Sequence, residues 1–176
     1  MSEKYKIYPG NLYFLTMTVE GWIDLFTRKE YAEFLEDNLN FCIDQKGLEI
    51  FSYSIMPSHM HLIARTEDYN LSDWLRDYKG YTSRMLYEMI GKHTSESRKE
   101  WLIYMFRYFA KPIKGNREHK LWQSGNHPEE IFTQKFYEQK RDYIHNNPVE
   151  AGLVTDPSYY RYSSANPDCR VKIVKY

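Results

Sequence analysis

The chain has 176 residues, of which 42% are hydrophobic, 27% are charged and 17% are aromatic, and its net charge at pH 7 is zero. This length and composition predict one globular domain over residues 1–176 and exclude a disordered chain, while the neutral net charge predicts no general attraction to nucleic acid. No apolar run approaches the ~20 residues that cross a bilayer, and the N-terminus lacks a signal-peptide pattern. The 2 cysteines are too few for a disulfide scaffold. We therefore expect a cytoplasmic protein with no membrane partner.

The first predicted elements are a strand and a helix. Residues 12–20 are β-branched and aromatic without a breaker, which predicts a strand. Thr27 and Glu30 have the spacing of a capping box and predict that a helix begins there. Gly47 follows the last apolar position of that helix and is expected to end it.

A hairpin and a second helix follow. The strand-like runs 48–56 and 59–65 are separated by Pro57 and Ser58, and proline cannot donate to a strand ladder, so the runs predict the two arms of a hairpin. Asn70 is a typical N-cap for the helix that comes next. Apolar residues at helical spacing continue that helix to Met89.

The second half of the chain adds two helices and a short strand. Residues 94–97 are typical of a cap region before an aromatic-rich helix, and residues 121–123 predict a short strand. Thr133 begins a last helix that we expect Pro148 to end, because the residue before a proline disfavours helical geometry. The order β-α-β-β-α-β predicts an α+β fold, the ferredoxin-like or split β-α-β sandwich with an antiparallel sheet.

The charges are unevenly distributed despite the neutral total. Residues 76–120 contain 11 Lys and Arg against 5 Asp and Glu, whereas residues 1–75 contain 6 against 12. Tyrosines lie between many of the basic residues of the middle segment. A polyanion is one partner that fits this segment, and a set of amphipathic helices with solvated charges is the alternative.

His59 and His61 are the first candidate site residues. Side chains two apart on a strand share a face, so the two imidazoles project together while Met60 and Leu62 face the core. Two imidazoles can supply half of the ligands of a four-coordinate metal site. The alternative is a pair of surface histidines that are hydrogen-bonded.

Tyr143 and Asn147 are the second pair of candidates. They are four residues apart on the last predicted helix, so a phenol and an amide oxygen share one face. An amide oxygen can complete a two-histidine site for Mg²⁺ or Mn²⁺, and the phenol would then lie close to the group that the metal polarises. The alternatives are a structural tyrosine and an asparagine that caps the helix end.

Four motifs in order carry a resemblance to a known family. They are the hairpin 56–62 (MPSHMHL), the pair Trp122 and Gln123, the run 143–154 (YIHNNPVEAGLV) and the segment 160–164 (YRYSS). Together they resemble the single-tyrosine HUH transposases, and most of all the group of REP-associated tyrosine transposases. The matches run from about Leu12 to Ala165, nearly the whole chain.

The resemblance implies roles for these residues. It implies that His59 and His61 are the metal ligands, that Tyr143 on the C-terminal helix is the nucleophile and that Asn147 stands at the position of a polar third ligand. It also implies Mg²⁺ or Mn²⁺ as the cofactor, single-stranded or hairpin DNA as the partner and a homodimer. His127 falls in a variable loop and is left as a possible substrate or metal contact.

The DNA-binding surface is expected in the basic middle segment, although the neutral net charge departs from the more basic character of this group. The candidate contacts are Arg76, Lys79, Arg84, Lys111 and Lys114. The function predicted is that of a transposase that nicks and rejoins DNA through a 5′-phosphotyrosine. Two alternatives stay open, a catalytically silent module that binds DNA or RNA hairpins and a zinc-binding protein that uses His59, His61 and His127.

Overall fold

Four strands and four helices make up the regular structure of the described residues. The computed structural model describes residues 7–67, 70–112, 118–125 and 127–176. The strands are β1 (Tyr13–Thr18), β2 (Leu48–Ile55), β3 (His59–Thr66) and β4 (Glu129–Glu130). The helices are α1 (Lys29–Lys46), α2 (Leu71–Lys92), α3 (Lys99–Ala110) and α4 (Gln134–Glu150). The strands form one antiparallel sheet in the order β2-β3-β1-β4, so the predicted α+β fold is confirmed.

The two faces of the sheet have different coverings. Successive residues of a strand face opposite sides, and Met17 of β1 and Met60 of β3 are fully buried in one large cluster with apolar residues of α1, α2 and α3. Phe14 and Ile63 face the other way and form a smaller cluster with Ile144 of α4. Helix α4 therefore covers the face of the sheet opposite the main core.

The ends of α1 show one wrong prediction and one confirmed. The helix begins at Lys29 after Arg28, which makes no side-chain cap hydrogen bond, so the predicted capping box is absent there. The Thr27 hydroxyl instead donates to the Asp24 carbonyl at 3.2 Å in the preceding turn. Gly47 does end the helix, with a left-handed φ of 61° that suits glycine.

The caps of α2 and α4 are confirmed, but the predicted stop at Pro148 is wrong. The side chains of Asn70 and Thr133 accept hydrogen bonds from Ser72 N and Phe136 N. Helix α4 continues through Pro148 and ends at Glu150. Proline removes only its own amide donor, and its carbonyl still accepts from Leu153 N at 2.9 Å to close the helix.

The fourth strand lies later in the chain than predicted. Residues 121–123 do not form the predicted strand: beside the end of β1, Trp122 makes a single antiparallel bridge with Val19. The segment that follows β1 turns at Gly21, which has a φ of 64°. The strand pairing with residues 121–123 therefore does not continue beyond this bridge. Strand β4 instead pairs with Tyr13 and Phe14 at the start of β1.

The C-terminal segment covers the outer edge of β2. Ile55 N donates to Tyr162 O, Ser164 N to Tyr53 O and Val174 N to Ile50 O, each at 2.8 to 2.9 Å. An uncovered edge strand invites pairing with other chains, so this segment protects the sheet. Within the described ranges, none of the helices has the length and apolar character that a membrane span requires.

A buried carboxylate joins the turn before α1 to the turn before α3. The Glu96 side chain is inaccessible to solvent and lies 3.1 Å from Arg28 Nε and 3.2 Å from Arg98 Nε. Burial alone would raise the pKa of Glu96, but hydrogen bonds from Arg98 and Arg28 lower it to about 2. Arg98 also donates to the Asp24 carbonyl at 2.9 Å, so this network ties the two turns together.

The Glu96→Gln variant is expected to be less stable than the wild type. A carboxylate with a lowered pKa stabilises the fold above its ordinary pKa of 4.5 and loses that contribution as the pH falls toward 2. The loss in unfolding free energy should be about 3 kcal/mol at pH 7 and shrink below pH 4.5. Urea unfolding at several pH values measures it. The exposed Glu138→Gln is the control and should change little, and an equal loss at all pH values would contradict the assignment.

Candidate active site

His59 and His61 project from β3 on the face of the sheet that α4 covers. Their partners across the strand pairing are Thr18 and Thr16 of β1. The two imidazole centroids lie 4.8 Å apart, so the predicted shared face is confirmed. Met60, between them, is fully buried in the main cluster on the opposite face.

His61 is held as a neutral imidazole with one free nitrogen. Its side chain is buried beneath α4, its Nδ1 lies 2.9 Å from Thr16 Oγ1 and its ring stacks on Phe14. Burial, together with the nearby charges of His59 and Lys140, lowers the pKa of His61 to about 3. Its Nε2 is buried and has no hydrogen-bond partner among the described residues. An unpaired buried nitrogen costs free energy, and a neutral imidazole nitrogen is a common metal ligand.

His59 connects the hairpin to α4. Its Nδ1 lies 3.2 Å from Ser58 Oγ. Burial lowers the pKa of His59, and a hydrogen bond with the Asn147 side chain opposes that shift. The amide of Asn147 is therefore in direct contact with the first histidine.

Tyr143 lies beside the second histidine. Its ring centroid is 5.2 Å from that of His61 and 5.9 Å from that of Phe14, with the rings edge to face. The side chain is 43% exposed, so the phenol can meet a substrate. Asn147 lies inside α4, whose C-cap is Ala151, so the alternative of Asn147 as a helix cap is wrong.

Tyr137, the neighbouring tyrosine of α4, has a different environment. It is 5% exposed, belongs to the small cluster beneath α4 and stacks on Tyr176 at a centroid distance of 3.9 Å. Burial raises the pKa of Tyr137, the positive charge of Arg141 opposes this shift, and Tyr176 adds to it. These contacts describe a packing residue.

Three residues of the site were missed by the sequence analysis, namely Phe14, Thr16 and Lys140. The Lys140 ammonium lies 4.4 Å from the Phe14 ring centroid and 2.8 Å from Glu129. Phe14 thus contacts His61, Tyr143 and Lys140 at once. Lys140 could have been suspected because it lies three residues before Tyr143 on the helix. Phe14 and Thr16 lie opposite the histidines only because of the β1 to β3 register.

The donors present, two imidazoles and an amide oxygen, are of the types that bind divalent cations. No group of three or more His, Cys, Asp and Glu that suits a metal occurs within the described residues. The Asn147 amide, which contacts His59, is the further donor that α4 brings beside the two imidazoles. The unpaired Nε2 of His61 is the specific feature that a metal ion would satisfy. His127 is exposed, in the segment between Trp122 and β4.

Three of the basic candidates line one groove. A cavity of about 480 Å³ lies between α2 and residues 118–124, and Arg76, Lys79 and Arg84 are among its lining residues. Arg76 forms ion pairs with Asp73 and Asp77 of its own helix. Arg84 lies over the ring of Tyr81, with 5.8 Å from its Cζ to the ring centroid.

Lys79 connects this groove to the histidines. Its ammonium donates to the carbonyls of Gln123 and Gly125 at 2.7 and 2.9 Å, and burial lowers the pKa of Lys79 to about 8. Gln123 N donates to Thr18 O at 2.8 Å, and Thr18 pairs with His59. Hydrogen bonds therefore link the wall of the basic groove to the strand pair that carries His59.

Lys111 lies away from this groove. Lys111 follows the end of α3, with its ammonium 5.7 Å from the ring centroid of Tyr108. It lines a second depression with Glu20 and Lys120. Lys114 lies outside the described residues, so its placement stays a prediction.

Two solved structures resemble this fold. The structure of a REP-associated tyrosine transposase bound to a REP hairpin is 21% identical and aligns with a TM-score of 0.62 over 93% of this chain and 82% of that chain. A putative transposase from Deinococcus radiodurans R1 is also 21% identical, with a TM-score of 0.44 over 82% of this chain and 96% of that chain. Among curated proteins, none matches this sequence.

The sequence also matches a family model. The model, described as "Transposase IS200 like", matches residues 13–124. This range holds both histidines and the basic groove, and it stops before α4. Because the match covers more than half of the chain, this protein belongs to the IS200-like transposase family.

Proposed function

We propose that this protein is a metal-dependent transposase that nicks and rejoins single-stranded or hairpin DNA with Tyr143 as the nucleophile. The observation that carries this proposal is the contact of the Tyr143 ring with His61, whose buried Nε2 lacks a partner among the described residues. An exposed phenol thus lies beside a preformed set of nitrogen and amide oxygen donors. That arrangement suits attack on a phosphodiester, and packing alone does not require it.

In the proposed step, the Tyr143 oxygen attacks the phosphorus of a DNA phosphodiester. An oxygen to phosphorus bond forms, the bond to the 3′ oxygen breaks, and the phenol loses a proton while the leaving 3′ oxygen gains one. The 5′-phosphotyrosine that results keeps the bond energy, so attack by a 3′-hydroxyl can rejoin DNA without another energy source. Mg²⁺ or Mn²⁺, held by His59, His61 and Asn147, would withdraw charge from the scissile phosphate when bound.

The neighbouring residues orient these groups. Thr16 fixes the ring of His61 through Nδ1, and Asn147 contacts His59 from the helix that carries Tyr143. Lys140 places a positive charge close enough to affect the pKa of His61. A cation in this position favours the negative charge that develops on the phosphoryl oxygens.

The groove between α2 and residues 118–124 supports a DNA partner. It is lined by Arg76, Lys79 and Arg84, and the similar solved transposase is bound to a REP hairpin. We propose that this chain also binds hairpin or single-stranded DNA, with the phosphates along this groove. The homodimer that the resemblance implies stays a prediction.

The Tyr143→Phe variant is expected to lose the covalent adduct. Only the hydroxyl oxygen is removed, so the variant should still bind a hairpin oligonucleotide. Mass spectrometry of the trapped wild-type complex should find the 5′ end of the cut strand on Tyr143. Tyr137→Phe is the matched control on the same helix and should form the adduct. An adduct on Tyr137, or an unchanged adduct yield in Tyr143→Phe, would overturn the assignment.

Metal binding is expected to need both histidines. Titration with Mn²⁺ should show one site in the wild type, and His59→Ala and His61→Ala should each weaken binding and Mn²⁺-dependent cleavage at least tenfold. His127→Ala is the control, because His127 is exposed and outside the proposed donor set. Because His61 is buried, circular dichroism must show that its variant is folded. Loss of binding in His127→Ala would instead favour the zinc-binding alternative.

Hairpin affinity is expected to fall steeply as salt rises. Each phosphate contact should contribute ~0.7 log units per tenfold increase in salt for a single strand. The double variant Arg76→Gln with Arg84→Gln should reduce that slope by about 0.7 for each phosphate that it no longer neutralises. The control is Lys172→Gln, whose ammonium pairs with Asp44 near the covered edge of β2. A slope that is flat in the wild type, or equal in all three proteins, would show that this groove does not hold phosphates.

A further inference from the structure

Trp22 has an unusual backbone conformation next to the site. It follows Gly21, and both residues have a positive φ, 64° at Gly21 and 54° at Trp22. A side chain at position 21 would place its Cβ 2.7 Å from Phe109 Cζ, so glycine is required there. A bulky residue with positive φ is rare because it is sterically strained. Strain of this kind persists only where the surroundings impose it.

The surroundings of this turn do impose it. Val19 N donates to Ser58 O at 2.9 Å, Glu20 N to Leu121 O at 2.8 Å and Trp22 N to Val19 O at 3.0 Å. Ser58 is the residue before His59, so the turn is tied directly to the hairpin that carries the histidines. The position of Trp22 relative to His59 is therefore fixed by the backbone.

The indole of Trp22 is largely exposed to solvent. Trp22 is 61% exposed, whereas Trp74 and Trp122 are buried in the core at 0% and 5%. Its ring contacts the His59 imidazole edge to face at a centroid distance of 5.5 Å. Core packing does not account for a strained tryptophan whose side chain is exposed, and its indole is available to a ligand beside His59.

We propose that Trp22 is a base-stacking subsite, on which the nucleobase next to the scissile phosphate stacks. This inference rests on the proposed function, because it places that phosphate at His59 and Tyr143. A base adjacent to the phosphate falls within reach of the neighbouring indole, and aromatic faces stack any base.

The basic groove beside this turn favours a nucleic acid over a protein partner at this place. Gln123, whose backbone carbonyl accepts from Lys79, reaches with its side chain to Val19 O at 3.4 Å. Leu121, in the wall of the basic groove, accepts from Glu20 N in the same turn. The turn that carries Trp22 is therefore joined by hydrogen bonds to the wall of the groove in which we propose that the phosphates lie. A second copy of the chain is the competing occupant that the experiment must exclude.

The test is a double-mutant cycle between protein and DNA. All proteins carry Tyr143→Phe, which prevents cleavage, and the DNA is a hairpin oligonucleotide with a single-stranded extension. One nucleotide at a time around the cut is made abasic. Trp22→Ala should weaken binding of the intact strand by about 5- to 100-fold, and it should have little further effect when one particular base is missing. Trp22→Phe should keep most of the affinity, because a smaller ring can still stack.

Trp101→Ala is the matched control. Trp101 is also exposed, at 48%, but lies on α3, so its effect should be independent of every abasic position. Equal losses on all strands in Trp22→Ala, or no loss, would overturn the subsite. A change in oligomeric state of Trp22→Ala by light scattering would instead indicate a contact between protein chains.

The outcome is separable from that of the proposed function. Adduct formation by the protein with Tyr143 intact reports on catalysis alone. Coupling between Trp22 and one base without any adduct would support the subsite and indicate a protein that binds DNA without cleaving it. An adduct without coupling would support the transposase function and contradict the subsite. Failure to bind the oligonucleotide would contradict both the subsite and the DNA-binding part of the proposed function.

Discussion

The antiparallel pairing of β1 with β3 is the constraint on which both the core and the site depend. Because side chains alternate along a strand, the same two strands seal the main cluster on one face and carry the histidines on the other. A slip of one residue would move Met60 to the site and His61 into the main cluster. Burial of Met60 and Leu62 therefore fixes the register that presents the imidazoles, and the stability of the core and the geometry of the site cannot vary independently.

Helix α4 completes the site while it covers the second face. Ile144 is fully buried against the sheet, whereas Tyr143, the residue before it, is half exposed beside His61. Phe14 is the common contact of His61, Tyr143 and Lys140. A shared aromatic contact of this kind holds groups from β3 and α4 at fixed separations, which is what a catalytic arrangement needs.

Although the net charge of the chain is zero, its charged residues are unevenly distributed over the surface. Basic residues of the C-terminal segment pair with acids of α1, as in the ion pairs Arg161 to Glu33, Arg170 to Asp37 and Lys172 to Asp44. These pairs neutralise much of the acidic first half of the chain. The basic residues of α2 line a groove whose lining includes one acidic residue, Glu118. Net charge is therefore a poor guide to the partner of this protein, and the local distribution of charge is the informative quantity.

The sequence by itself determined what depends on near neighbours along the chain. The shared face of His59 and His61 and that of Tyr143 and Asn147 follow from the period of a strand or a helix. The caps at Asn70 and Thr133 follow from side chains that accept hydrogen bonds from amides two or three residues later, and all of these are confirmed. Only the tertiary structure decided where the fourth strand pairs, that Phe14 and Thr16 face the histidines, and that the Lys79 ammonium binds backbone carbonyls. Each of these depends on contacts between residues far apart in the chain, which no local period encodes. The exposed, strained Trp22 belongs to the same class, because its conformation is imposed by Ser58, Phe109 and Leu121 from three other parts of the chain.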